Sequence, residues 1–172
     1  MAEARVANAL VEQFKRGGVP KDLRLMAAQG ALPLKPGDLL ELLHFLLHDA
    51  EAEVSRAATE AMGRLPAAEL LPVLKDRETP PELLAWALGA RSEKELREAL
   101  LQNHSTPDEA VTAAAATLTQ ELAELVVINQ TRLLRSLPLL EALESNAGLN
   151  NDQRRRLREL RETFRIGQEP EA

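Results

Sequence analysis

Residues 38–65, DLLELLHFLLHDAEAEVSRAATEAMGRL, restrict the fold more than any other part of this chain. Leu39, Leu40, Leu42, Leu43, Phe45, Leu46 and Leu47 run round nearly the whole circumference of a helix, and such a helix is stable in water only when covered on most sides. The pattern then narrows to one stripe, with Val54, Ala57, Ala58, Ala61 and Met62 at helical spacing and Glu51, Glu53, Arg56, Glu60 and Arg64 elsewhere. Asp49, between the two, fits the N-cap of the second helix. A buried helix joined by a tight turn to a half-exposed one needs neighbours on both sides, which is the building logic of a repeat protein.

The rest of the sequence agrees with an all-α fold. Aromatic residues make up only 2% of the 172, with no Tyr, while Ala and Leu dominate; that mixture favours helices over sheets. Without Cys there is neither a disulfide framework nor a thiolate nucleophile or metal ligand. The first 16 residues carry charges throughout and lack the apolar centre of a signal peptide, and no run reaches the ~18 apolar residues of a membrane span. A cytoplasmic location is expected. Acidic residues outnumber basic ones, 27 to 21, so the overall field repels polyanions and argues against nucleic acid as the main partner.

Punctuation along the chain predicts about 10–12 helices. Residues 2–16 pattern as a helix with Val6, Ala9, Leu10 and Phe14 on one face, ended by Gly17 and Gly18. Residues 20–28 read as a short helix with Leu23 and Met26 inward, and residues 30–37, with Pro33 and Pro36, as a loop. Pro66, Pro80, Pro107 and Pro138 each stand at or near a first helical turn, followed by Glu and apolar residues. Thr79 with Glu82, Thr106 with Glu109 and Ser92 with Glu95 have capping-box spacing; Asn150 with Gln153 is a weaker version. The two Thr-Pro motifs lie 106 − 79 = 27 residues apart, and that shift superimposes apolar on apolar residues through residues 84–128. A step of this size with two helices is the mark of an α-solenoid. The expected organisation is a single domain over residues 1–166: N-terminal cap helices and loop at 1–37, repeats at 38–149, and a C-terminal cap helix at 150–166 with Leu157, Leu160 and Phe164 inward. Residues 167–172 would form a flexible tail.

Two families of helical repeats are similar in particular residues. The segment from Asp49 to Gly63 resembles the second helix of a HEAT repeat through Val54, Ala57-Ala58 and Ala61-Met62-Gly63, although Ser55 stands where Arg is usual, with Arg56 one place later. Thr79-Pro80-Pro81-Glu82-Leu83-Leu84 and Asn103-His104-Ser105-Thr106-Pro107-Asp108-Glu109 resemble the bacterial leucine-rich repeat variant, with His104 in place of its first Pro. The resemblance spans roughly residues 38–160. It implies an irregular α-solenoid of HEAT-like helical pairs serving as a bacterial scaffold, of the kind found beside regulatory modules such as PilZ domains. It names no ligand.

The sequence contains no catalytic constellation, and no cofactor is expected. Glu41, His44 and His48 recur at i, i+3 and i+7, and a carboxylate with two imidazoles on one face could hold a divalent metal. The plainer reading makes them the polar seam of a buried helix. Arg154, Arg158, Arg161 and Arg165 form one stripe at 100° per residue, which Arg132 and Arg135 could extend. Guanidinium forks suit phosphates or acidic protein segments, and a charged outer face equally suits a solvated cap. Trp86 and the run Ala113 to Ala116 read as packing residues between repeats, and Asn103, Asn129 and Gln130 as closures of helix ends.

The expected function is a non-enzymatic protein–protein interaction scaffold or regulatory binding module. Its partner would be another protein, including one with an acidic surface, or a second copy meeting an open end of the solenoid. The alternative is binding of nucleic acid or a phosphorylated ligand along the arginine stripe.

Overall fold

The computed structural model describes residues 2–167, with side chains described from residue 9. Among the described residues there are twelve helices and no strands, so the chain is all-α. No described helix is long and apolar enough to cross a membrane. The helices group into two compact units, the first closing at Thr79 and the second beginning at Pro80.

The first unit holds α1 (Ala2–Arg16), α2 (Lys21–Ala28), α3 (Pro36–Leu46), α4 (Ala52–Arg64) and α5 (Ala67–Lys75). The reason for leucine around most of α3 is visible in its neighbours: α1, α2, α4 and α5 all pack against it. Leu40, Leu42, Leu43 and Leu46 have no measurable exposure, and each withdraws apolar area worth roughly 2 kcal/mol from water. Val11, Phe14, Ala27, Ala28, Val54, Ala58, Met62, Leu70 and Leu74 complete this core. Gly17 and Gly18, at φ +88° and +80°, end α1 in a backbone region that side chains rarely enter.

Several expected inward positions are corrected. Ala9, Leu23 and Met26 are exposed. On α2 the residues against α3 and α4 are the small Ala27 and Ala28, whose size lets an eight-residue helix approach closely. Val6 lies outside the described side chains, and residues 168–172 of the expected tail outside the described residues. Asp49 is not the N-cap of α4; Glu51 is, and Asp49 instead accepts from the Glu51 N–H at 2.9 Å while one Arg24 nitrogen reaches both its oxygens at 2.6 Å.

The second unit holds α6 (Pro81–Ala90), α7 (Lys94–Gln102), α8 (Asp108–Ala115), α9 (Gln120–Val127), α10 (Gln130–Arg135), α11 (Leu137–Glu144) and α12 (Asn151–Thr163). α6, α8 and α11 pack in succession, as do α7, α9 and α12, and α6–α7 and α11–α12 contacts join the two sets. Ala114 and Ala115 are buried, while Ala113 and Ala116 face outward, so only half of the alanine run is a packing face. Trp86 is half-buried.

Turn chemistry repeats with the 27-residue step, though not as capping boxes. The Thr79 hydroxyl donates back to the Val73 carbonyl at 2.6 Å, and the Thr106 hydroxyl to the Leu100 carbonyl at 2.6 Å. Each therefore adds a second bond to a carbonyl in the last turn of the helix that ends, which also accepts its C-cap N–H, rather than satisfying an N–H of the helix that begins. The N-caps are Pro80 and Pro107, one residue later, and Glu93 rather than Ser92 caps α7; none makes a side-chain cap bond. Three residues before each of those threonines an Asx turn closes, Asp76 accepting from the Glu78 N–H and Asn103 from the Ser105 N–H, both at 2.9 Å. Asp49 forms the same turn 27 residues before Asp76.

Candidate functional site

α12 is the helix with the strongest local specification. Asn150 accepts from the Gln153 N–H at 2.7 Å and Gln153 accepts from the Asn150 N–H at 3.0 Å, a complete capping box at the spacing that looked weakest in the sequence. Gln153 is buried and also donates to the Gln120 carbonyl at 3.0 Å, which ties the start of α12 to the start of α9. Leu157 and Leu160 are buried against the unit. At the far end the Arg165 N–H bonds the Glu162 carbonyl and the Ile166 N–H bonds the Arg161 carbonyl, a Schellman closure that holds Arg165 at φ +51°.

That closure overturns one expectation and exposes a surface. Phe164 sits at the C-cap rather than on the inward stripe, and it is 53% exposed. Across from it Ile128, the C-cap of α9, is 61% exposed. Between them lies a groove of about 550 Å³ floored by Val127, Leu157 and Leu160. Gln130 and Thr163 add neutral polar groups, and the charges on its lining are Arg156 and Glu159. Arg156 meets the Glu124 carboxylate at 2.6 Å and Asp152 at 2.9 Å, and the Glu124 bond holds its guanidinium above the ordinary arginine value. Glu159 meets Arg155 at 3.2 Å. The groove is therefore apolar at its floor and walls and electrically balanced at its rim.

The arginine stripe does not assemble as one surface. Arg132 is 2% exposed and belongs to the interior: it donates to the Thr106 carbonyl at 2.7 Å, the Asn103 carbonyl at 3.2 Å and Asp108 at 2.7 Å. Burial lowers its pKa first, with Asp108 opposing, and the ion pair keeps it charged. Arg135 engages the same carboxylate at 2.7 and 3.0 Å, and that bond is the largest cause of the depressed Asp108 pKa. Arg154 donates to the Asn146 carbonyl at 3.0 Å, and Arg161 grips Glu144 through two nitrogens at 3.0 and 2.6 Å. Arg165 lies beyond the helix. Arg158 is exposed and pairs with no other described residue. At 100° per residue Arg154, Arg158 and Arg161 occupy one flank of α12, whereas Arg156, Glu159 and Thr163 occupy the other, the groove side.

The Glu41, His44 and His48 set does not converge either. α3 ends at Leu46, so His48 is past the helix and not one turn further along it. Glu41 is turned to Lys15 at 2.6 Å, and the two imidazoles meet edge to face with centroids 5.7 Å apart. Among the described residues no group of three or more His, Cys, Asp or Glu side chains gathers as a metal site.

Sequence reasoning missed Ile128 and Phe164 as surface residues. A signal existed for the first, since Ile128 is followed at once by Asn129, whose carboxamide accepts from the Arg132 N–H and starts α10. For Phe164 there was none, because its spacing from Leu157 and Leu160 continues the buried stripe. Comparison with family models, curated proteins and solved structures finds no match to this chain.

Proposed function

We propose that this chain is a non-enzymatic protein-interaction module whose helical pairs stack in the manner of a HEAT-like α-solenoid, and that it binds a partner protein through the groove between α9 and α12. The observation that carries the reading is the pairing of two highly exposed apolar side chains, Ile128 and Phe164, over a preformed apolar floor. Isolated exposed apolar residues are ordinary on protein surfaces, but two of them walling one groove make a site where an inserted side chain loses its water on several sides. The succession α7, α9, α12 and the 27-residue turn repeat support the solenoid part of the reading.

The test is crosslinking of the full chain at its working concentration, followed by comparison with Ile128→Glu and Phe164→Glu. Both side chains are exposed, so the variants keep the helical spectrum of the parent. Loss of the crosslinked protein in both variants is the expected result; an unchanged crosslinking pattern refutes the groove as the site. The second reading, recognition of phosphate or an acidic segment by arginines, now rests chiefly on Arg158, the arginine of α12 that contacts no other described residue. It predicts binding that weakens steeply with salt and disappears in Arg158→Glu.

A further inference from the structure

We infer that α12 is a latch: it leaves α9 and α11 as one body while the rest of the second unit stays folded, and two ion pairs set how often it does so. The opening concerns this chain alone and needs no partner, so it stands or falls separately from the reading of the groove as a binding site.

The helix itself is made locally. Asn150 and Gln153 close its capping box, and Arg155 pairs with Asp152 and Glu159, three and four residues away. The Arg165 and Ile166 N–H groups, bonded to the Glu162 and Arg161 carbonyls, finish its end. None of these bonds reaches another helix.

Its place on the unit is held differently. Leu157 and Leu160 are the apolar side chains that α12 buries, two in 13 residues, against four in 8 on α9 and three in 8 on α11. A helix with so little buried apolar surface opens at low free energy compared with its neighbours. Polar contacts add the rest of the hold. Gln153 donates to the Gln120 carbonyl and Arg154 to the Asn146 carbonyl, both at 3.0 Å. Arg156 meets Glu124 of α9 at 2.6 Å, and Arg161 grips Glu144 of α11 at 2.6 and 3.0 Å. Both ion pairs join partly exposed side chains, so water and salt compete for them. Pairs of that kind shift an equilibrium by about 1.4- to 5-fold each, and the two together by about 2- to 25-fold. Because one pair ties α12 to α9 and the other to α11, the loss of both frees the helix as a body instead of peeling it from one end.

Opening changes what the unit presents to water. α7, α9 and α12 pack in succession, so the side of α9 beneath α12 is the next step of a row that is covered by a helix at the step before. Val127, 5% exposed on the floor between α9 and α12, is uncovered when the latch opens.

The experiment is amide hydrogen exchange of the full chain, read by NMR at about 0.01 M and about 1 M sodium chloride, between which the Debye length falls from about 30 to about 3 Å. Screening acts on the ion pairs and not on the two leucines. Amides of α12 beyond its first turn are expected to exchange at one common rate, about 10-fold or more faster than those of α8. The ratio of the α12 rate to the α8 rate is expected to rise about 5-fold at high salt. Glu124→Gln combined with Glu144→Gln gives at low salt the ratio that the parent reaches at high salt, and it removes the salt response. A gradient of rates climbing toward Thr163 is end-fraying and overturns the latch. Equal rates in α12 and α8 overturn it too, as does a ratio indifferent to both salt and the double variant. The α8 amides report global unfolding in each sample, so a double variant that speeds α8 and α12 equally has weakened the whole unit and also refutes the inference.

Discussion

Arg132→Ala should be among the most destabilising single changes in the second unit, and the structure allows its size to be worked out. The side chain is 2% exposed and its guanidinium serves two backbone carbonyls, those of Thr106 and Asn103, both buried residues. Truncation leaves the Thr106 carbonyl without its donor, at about 1–3 kcal/mol for a buried group left unpaired, while the Asn103 carbonyl keeps the Thr106 N–H at 3.1 Å, and it opens a void along the lost side chain. Two effects limit the cost. The charge no longer has to be held out of water, and Asp108 is not stranded because Arg135 still holds it. The net expectation is about 2–4 kcal/mol, read from urea unfolding followed by circular dichroism. Arg135→Ala is the internal control. It removes a contact to the same carboxylate, but from a side chain that is half exposed, so it should cost less than about 1 kcal/mol. Equal losses from the two variants would refute the idea that burial and carbonyl satisfaction, and not the ion pair, make Arg132 important.

Other consequences follow from the same contacts. Asp108 has its pKa depressed, first by the Arg135 hydrogen bond, so the unfolded chain binds the proton more readily than the folded one; the stabilisation is complete above the ordinary Asp value of about 3.9 and fades as pH falls through the lower native value. A stability-against-pH curve for Asp108→Asn should lack that acid-side loss, and an unchanged curve would dismiss the linkage. Arg165→Gly should stabilise the end of α12 by about 1 kcal/mol, because φ +51° strains a residue with a Cβ; a lower melting temperature would count against this. Asn150→Ala should cost about 1 kcal/mol through the capping box, while Ser92→Ala and Glu95→Gln, which belong to no box, should stay within about 0.5 kcal/mol in the same melt.

Much of the local architecture could be read from the sequence because its causes are local. The two glycines after Arg16 and the prolines at 66, 80, 81, 107 and 138 act on φ and on missing N–H groups within a residue or two, so helix boundaries follow from them, whereas Pro36, read as part of the 30–37 loop, in fact opens α3. The leucines around α3 announced burial on most sides for the same reason. The candidate site was far less legible. Arg132 stood beside Arg135 as one of a row of cations, and only the turn at residues 103–108, 24 to 29 positions away in the chain, makes one an interior clasp and leaves the other at the surface. Thr79 and Thr106 could donate backward or accept forward at identical spacing. The position of the helix start, one residue later, chose the backward bond.

What the amino-acid sequence alone determined is therefore the helical class, most helix ends and the one helix that had to be covered, since propensity, backbone restriction and hydrophobic periodicity act over a few residues. Tertiary structure decided which apolar side chains of a plausible stripe stay in water and which cations turn inward. Leu23, Met26, Ile128 and Phe164 carry the same chemistry as the buried residues near them; their exposure depends on whether another helix arrives on that side, and that arrival is set by residues distant in the chain.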